Sequence, residues 1–253
     1  MKSCSEKSKK FSLILLSILG LVTLLISLFI FLWMNDFYSP SPQALNSLIS
    51  TEFVEVTETN DLIIFTPTSD DITSTGIIIY PGAKVDARAY APIAQLLSSH
   101  GYTVILPHMP LNFPILGTNM ARDIMNSYSN INDWIIGGHS LGGVAASNFA
   151  STNADIDGVI FLASYPSNDI LKLDNTPVIS IYGTNDGVIN QENLNNSKSL
   201  LPDTSIFVPI EGGNHSQFGD YGFQDGDNVS IMSTAEQHTV IVESILDWLT
   251  KLN

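Results

Sequence analysis

The chain has one cysteine among its 253 residues, Cys4, so an intramolecular disulfide is excluded and the fold must be stable without one. Cys4 stands before a long apolar run, the wrong place for a nucleophile; a lipid-modified thiol and an incidental thiol are the readings left. Positive charge is also scarce. Lysine and arginine number 10 against 25 aspartates and glutamates, a net charge of −15. Beyond residue 39, six basic residues face 23 acidic ones, about −17. That balance argues against nucleic acid as a partner and would repel this part of the chain from an anionic lipid surface. General solubility explains the acidity equally well. There is no internal repeat, and the length holds one sizeable domain with a full core but no second catalytic domain.

Charge is missing altogether from residues 11–33. As a helix this run would extend roughly 35 Å, enough to cross the hydrocarbon of a bilayer. Lys2, Lys7, Lys9 and Lys10 precede it and Asp36 follows, so the expectation is a single-pass signal-anchor in the cell membrane, with its N-terminus cytoplasmic and the domain beyond it extracytoplasmic. Trp33, Phe37 and Tyr38 suit an interfacial belt, or are ordinary flanking sequence. A cleaved signal peptide is the alternative; against it, the run is longer than secretory apolar regions and ends in Phe-Leu-Trp-Met rather than small residues. The expected organisation is a basic tail over 1–10, the membrane helix over 11–33, a linker over 34–52 and an α/β domain over 53–253.

Within that domain, apolar runs alternate with helical patterns. Strands are expected over 53–57, 62–67, 76–80, 102–106, 134–138, 158–163, 178–182 and 205–210. Helices are expected over 88–99, 115–128, from Ser140 onward, over 191–200 and over 234–252, with Gly101 closing the first of them and a brief helix within 43–51. This βαβ alternation implies a mostly parallel sheet with helices on both faces and ligands at the carboxyl ends of the strands.

Residues 137–143, Gly-Gly-His-Ser-Leu-Gly-Gly, place a G-x-S-x-G motif between a buried strand and a helix. A serine on so tight a corner needs small neighbours two positions either side, which Gly138 and Gly142 supply. The corner exposes the Ser140 hydroxyl and aims the first amides of the following helix at whatever it attacks. A serine hydroxyl is a weak nucleophile and needs a base, itself oriented by an acid. Of five histidines, His215 alone lies in a glycine-rich loop after the last apolar strand, and it is the expected base. His100 ends a helix, His108 lies in Leu-Pro-His-Met-Pro, His238 falls in the closing helix, and His139 belongs to the serine turn as a candidate pocket residue. Asp186, just beyond a buried strand in Gly-Thr-Asn-Asp-Gly, is the expected acid, with Glu211 and Asp220 as alternatives. The order Ser140, Asp186, His215 is the one this strand arrangement requires. The oxyanion donors are expected to be the amides of Leu141 and Ala83, the second in the loop after the strand over 76–80; Lys84 borders the pocket or is simply solvated.

With these residues in place, the chain resembles the α/β-hydrolase superfamily over residues 75–253, near its compact lid-less branch beside the dienelactone hydrolases. Beyond the serine turn, the likeness rests on Tyr-Pro-Gly-Ala-Lys-Val-Asp-Ala-Arg-Ala-Tyr from Tyr80, Leu-Ala-Ser-Tyr-Pro from Leu162, Tyr-Gly-Thr-Asn-Asp-Gly from Tyr182 and Gly-Asn-His-Ser-Gln-Phe-Gly-Asp-Tyr-Gly from Gly213. It implies the same roles for Ser140, Asp186, His215, Ala83 and Leu141. Dienelactone hydrolases carry cysteine at the nucleophile, so their substrate is not carried over. Many members insert a lid where this chain has only residues 164–177, so an open site is implied.

The expected function is a serine hydrolase acting on a small ester or acyl substrate through an acyl-enzyme, most directly a carboxylesterase, with no metal or cofactor. Acyl transfer or amide cleavage by the same triad, and a non-catalytic binding module on this scaffold, are the alternatives. Oligomeric state is not legible.

Overall fold

The computed structural model describes residues 2–69 and 72–252, with side chains over 11–32, 36–69 and 72–252. The side chains of Lys2, Cys4, Lys7, Lys9, Lys10 and Trp33, on which the expected tail and part of the aromatic belt rest, lie outside the described residues. Met1–Phe37 and Tyr38–Asn253 form two units. The first is one helix, α1 (Lys2–Asn35). Its stretch Phe11–Leu32, with a mean hydropathy of 2.9 and no buried residue, is long and apolar enough to cross a membrane.

The second unit is built on eight strands: β1 (Val54–Glu58), β2 (Leu62–Pro67), β3 (Thr75–Tyr80), β4 (Thr103–Pro107), β5 (Asp133–His139), β6 (Gly158–Leu162), β7 (Val178–Gly183) and β8 (Ile206–Ile210). They form one sheet in the order β1-β2-β4-β3-β5-β6-β7-β8. β1 and β2 run antiparallel to their neighbours, and every pairing from β4 across to β8 is parallel. Between and beyond the strands lie α2 (Pro42–Asn46), α3 (Ala91–Ser99), α4 (Met120–Ser127), α5 (Leu141–Ala150), α6 (Ile170–Leu173), α7 (Gln191–Ser197) and α8 (Thr234–Leu249).

The central strands read as unbroken apolar runs because both faces are covered. Along β3, Ile77 and Ile79 enter one core with residues of α3 and α8, while Ile78 and Tyr80 enter the opposite core with residues of α4 and α5. β5, β6 and β7 divide in the same way: Ile135, Ile160 and Ile179 go to the first core, and Ile136, Phe161 and Val178 to the second. With both faces filled, the strand ends and the loops beyond them are left to carry chemistry.

Several element bounds differ from the sequence expectation. The helix expected over 88–99 starts as a 3-10 turn, Ala87–Tyr90, and becomes α3 only at Ala91. Pro92 has no N–H to give to residue 88, so an α-helix cannot run across it without losing that bond. The helix expected over 115–128 begins within a 3-10 turn, Pro114–Gly117, and becomes α4 only at Met120; Pro114 and Gly117 keep an α-helix from nucleating there. α6 was not expected. Residues 38–52, expected as linker, lie largely in the second unit: Tyr38 N–H donates to Lys84 C=O (2.6 Å), Asp86 N–H to Tyr38 C=O (3.1 Å) and Ser41 N–H to Asp220 C=O (2.8 Å).

α8 is fixed at its start by a capping box, in which Ser233 accepts from Glu236 N–H and the Glu236 carboxylate accepts from Ser233 N–H. Its inward face buries His238 with Ile241, Ile245 and Trp248. Burial pushes His238 down to about 4, with nearby Asp220 offsetting this only in part. Between about pH 6.5 and 4 the unfolded chain therefore binds a proton that the folded chain refuses, and stability falls as pH falls through that window. We expect His238→Gln to flatten this dependence, removing about 2 to 3 kcal/mol of the difference between pH 7 and 4.5 in urea titrations followed by tryptophan fluorescence in detergent.

Candidate active site

Four of the expected site residues leave the sheet at the carboxyl ends of parallel strands. Ala83 follows β3, Ser140 follows β5, Asp186 follows β7 and His215 follows β8; Leu141 opens α5. Ser140 sits at the corner with φ 52° and ψ −123°, a region that a side chain occupies only under strain. The corner is packed tightly. A Cβ on Gly142 would strike the carbonyl oxygens of Tyr80 and Pro81, so glycine there lets the serine turn press against the loop carrying Ala83. Ser164 ties the turn from the other side, its hydroxyl donating to Ser140 C=O at 2.6 Å.

His215 and Asp186 are brought together in the interior. His215 Nδ1 lies 2.8 Å from Asp186 Oδ2, and neither side chain is more than 2% exposed. Asp186 Oδ1 accepts the N–H groups of Val188 and Ile189, each at 2.8 Å. The carboxylate is thus held by its own turn while its second oxygen orients the imidazole. Among the described residues, His215 Nε2 has no hydrogen-bond partner. His215 and Ser140 border the same cavity of about 280 Å³, with Leu141, Val144, Ala163, Ser164, Tyr165, Val188, Ile189 and Asn190. An imidazole held at Nδ1 by a carboxylate keeps Nε2 for a proton, the arrangement that a general base requires.

Two backbone amides follow the strands as candidate donors, and of their residues Leu141 borders the cavity. As the first residue of α5, Leu141 has an N–H with no acceptor inside the helix. In the loop after β3, Gly82 N–H goes to the Tyr90 hydroxyl (2.9 Å), Lys84 N–H to Asn112 C=O (2.7 Å) and Val85 N–H to Gly82 C=O (3.2 Å). Ala83 N–H has no acceptor among the described residues, but Ala83, unlike Leu141, is not among the residues bordering the Ser140 cavity.

The remaining candidates stand elsewhere. His100 Nδ1 lies 2.9 Å from Leu96 C=O, His108 pairs with Glu58 at 3.5 Å, and Glu211 is exposed. Asp220 borders a different groove, with His238 and Gln95. Lys84 is not among the residues bordering the Ser140 cavity. Among the described residues, no group of three or more His, Cys, Asp and Glu side chains is placed to hold a metal ion.

Sequence reasoning missed Asp227. Its carboxylate accepts from the N–H groups of Gly187 (3.1 Å), His215 (3.2 Å) and Ser216 (2.8 Å) and from the Ser216 hydroxyl (2.8 Å), clamping the Asp186 turn to the His215 loop. Gln237 of α8 fixes the same loop, exchanging two hydrogen bonds with the Asn214 backbone. Burial opposes the charge on Asp227, but those donors outweigh it and hold the carboxyl below its ordinary range. Its stabilisation is therefore complete above the unfolded-state pKa and disappears as pH falls through the folded one. We expect Asp227→Asn to cost on the order of 3 kcal/mol at pH 7 and progressively less below pH 4, read by denaturation across pH.

The sheet order, the crossovers and the loop placement define an α/β-hydrolase fold. Residues 76–239 match the family described as "Alpha/beta hydrolase family", and the chain belongs to that family. Solved structures agree at the level of the fold. A predicted CIB-like hydrolase from Thermoplasma acidophilum aligns with a TM-score of 0.57 at 16% identity, covering 77% of this chain and 97% of that one. Est1E from Butyrivibrio proteoclasticus aligns at 0.54 and 14% identity, covering 78% and 99%. The esterase domain of a Rhodothermus marinus protein aligns at 0.55 and 15% identity, covering 76% and 96%. A search of curated proteins finds no match.

Proposed function

We propose that this α/β hydrolase is a membrane-anchored serine esterase. The observation that carries the reading is the buried Asp186–His215 pair: His215 Nε2 has no partner among the described residues, and His215 borders the same cavity as the strained Ser140. In the first half-reaction Ser140 Oγ attacks the ester carbonyl while His215 Nε2 takes the hydroxyl proton. The carbonyl electrons move onto oxygen, which the amides of Leu141 and Ala83 stabilise. Collapse expels the alkoxide, protonated by His215, and leaves an acyl-Ser140 ester. In the second half, His215 takes a proton from water, the hydroxide adds to the acyl carbon, and Ser140 leaves with its proton restored. Apart from the His215 ring, the cavity is bordered by apolar and uncharged polar side chains, which suits an uncharged acyl group.

The apolar helix is assigned as the anchor, with the four preceding lysines on the cytoplasmic side and the hydrolase unit across the membrane. Retention in the membrane pellet after carbonate washing supports it; recovery of a soluble, shortened protein contradicts it. The catalytic reading is tested with a panel of p-nitrophenyl esters of increasing acyl length. Turnover by the wild-type chain is expected, and its absence across the panel rejects the esterase.

A further inference from the structure

We propose that Tyr90 and His139 are positioning residues that lock the loop carrying Ala83 to the turn carrying Ser140, so that both oxyanion amides are set by one buried hydrogen-bond relay; the proposal rests on the esterase reading above. Tyr90 ends the 3-10 turn that follows the Ala83 loop, and His139 ends β5 immediately before the serine. Both are at most 1% exposed. The Tyr90 oxygen accepts Gly82 N–H at 2.9 Å and lies 2.8 Å from His139 Nδ1.

Proton counting fixes the direction of the relay. A phenol has one hydrogen to place, and of the two partners of the Tyr90 oxygen among the described residues Gly82 N–H can only donate, so the Tyr90 proton is satisfied only at His139 Nδ1. Nδ1 is then the unprotonated nitrogen, and the ring is a neutral imidazole carrying its hydrogen on Nε2. Burial, and then the neighbouring His215, push His139 well below the ordinary histidine range, which agrees with a neutral ring. That ring is itself immobilised. It stacks on Phe218, centroids 5.8 Å apart at 14°, and lies 4.5 Å from the His215 ring.

The relay gives the loop its shape. With Gly82, Lys84 and Val85 each spending the N–H on protein, the Ala83 amide is the one left to face a ligand. Gly82 presses directly on the relay: a Cβ there would fall 2.9 Å from His139 Nδ1 and 3.3 Å from the Tyr90 oxygen. Without the phenol, the Gly82 amide is a buried donor with no acceptor, and turning the adjoining peptide to satisfy it would carry Ala83 N–H off its line. None of these groups touches substrate. Their effect should appear where negative charge develops on the carbonyl oxygen and not in ground-state binding.

The test pairs Tyr90→Phe with Tyr80→Phe in the full-length protein in detergent. Tyr80 is an equally buried tyrosine on the opposite face of the sheet, its hydroxyl donating to Thr118 C=O (2.8 Å) and accepting from Ala121 N–H (3.0 Å). Either change deletes a doubly bonded buried hydroxyl, so both should lower the Tm. Only Tyr90→Phe should lower kcat, about 10- to 100-fold with KM within about twofold, and weaken by the same factor an alkyl boronic acid that forms a tetrahedral adduct on serine. Should Tyr90→Phe fail to fold, His139→Leu and His139→Gln replace it. Glutamine keeps an acceptor for the phenol and should retain most of the kcat that leucine loses. The proposal is overturned if Tyr90→Phe behaves like Tyr80→Phe, or if His139→Leu and His139→Gln are equally active. A wild-type chain that neither turns over an ester nor binds the boronic acid defeats the esterase reading first, and the relay's role with it.

Discussion

Ser140→Ala is expected to reduce kcat/KM for p-nitrophenyl acetate by about 10⁴-fold or more, because nothing else at the corner can form the acyl intermediate. The same change should barely alter stability. Among the described residues the Ser140 hydroxyl makes no hydrogen bond, and alanine adopts a φ of 52° at much the same cost as serine. Glycine is different. It occupies that backbone region without strain, so Ser140→Gly should match alanine in lost activity while raising stability by about 1 kcal/mol. Ester kinetics and thermal unfolding on the three proteins separate strain held for function from an ordinary turn. Retained turnover in Ser140→Ala would move the nucleophile elsewhere.

Asp186→Asn is expected to lower kcat by about 10⁴-fold with the fold intact. The reason lies in how the carboxylate is held. Oδ1 accepts two backbone N–H groups, from Val188 and Ile189, and an asparagine keeps those bonds only by placing its carbonyl oxygen there. Its NH₂ must then point at His215 Nδ1, where Asp186 Oδ2 now lies 2.8 Å away. A donor at that position turns Nδ1 into an acceptor and moves the ring hydrogen to Nε2, the nitrogen that has to take the serine proton. The imidazole would remain in place in the wrong tautomer. Glu211→Gln and Asp220→Asn, the alternatives at the sequence level, should stay within about twofold of wild type, since neither carboxylate is bonded to His215. Kinetics on the three variants, with unfolding curves to establish that each is folded, decide the acid.

The strands were legible because their signal is local. Ile77–Tyr80 and Ile135–Ile136 are apolar without interruption, as strands covered on both faces must be, and each expected strand lies within about a residue of the observed one. The positions of Ser140, Asp186 and His215 just beyond strand ends were legible for a related reason. Each follows an apolar run at a turn rich in glycine, and the parallel pairing of β5 through β8 carries those turns to the carboxyl end of the sheet. Other features depend on partners far away in sequence. Asp227 lies in a polar stretch with nothing local to mark it, and its meaning comes from Gly187, 40 residues earlier, and from the amides around His215. Tyr90 closes the stretch that begins at Tyr80, yet its link to His139 crosses 49 positions. Tyr38 looks in sequence like the flank of the apolar helix, and its pairing with the Ala83 loop and its ring contact with Tyr221 tie it to the hydrolase unit. The shortened helices have a local cause that periodicity conceals: Pro92 and Pro114 interrupt the backbone bonds without disturbing the spacing of apolar side chains.

The most direct measurement of the central claim is active-site labelling of the full-length protein with a fluorophosphonate, followed by peptide mass spectrometry. One adduct is expected, on the peptide containing Ser140, formed by the native protein and lost after heat denaturation and in His215→Ala. An adduct on another residue, or no labelling of a folded protein, would contradict it.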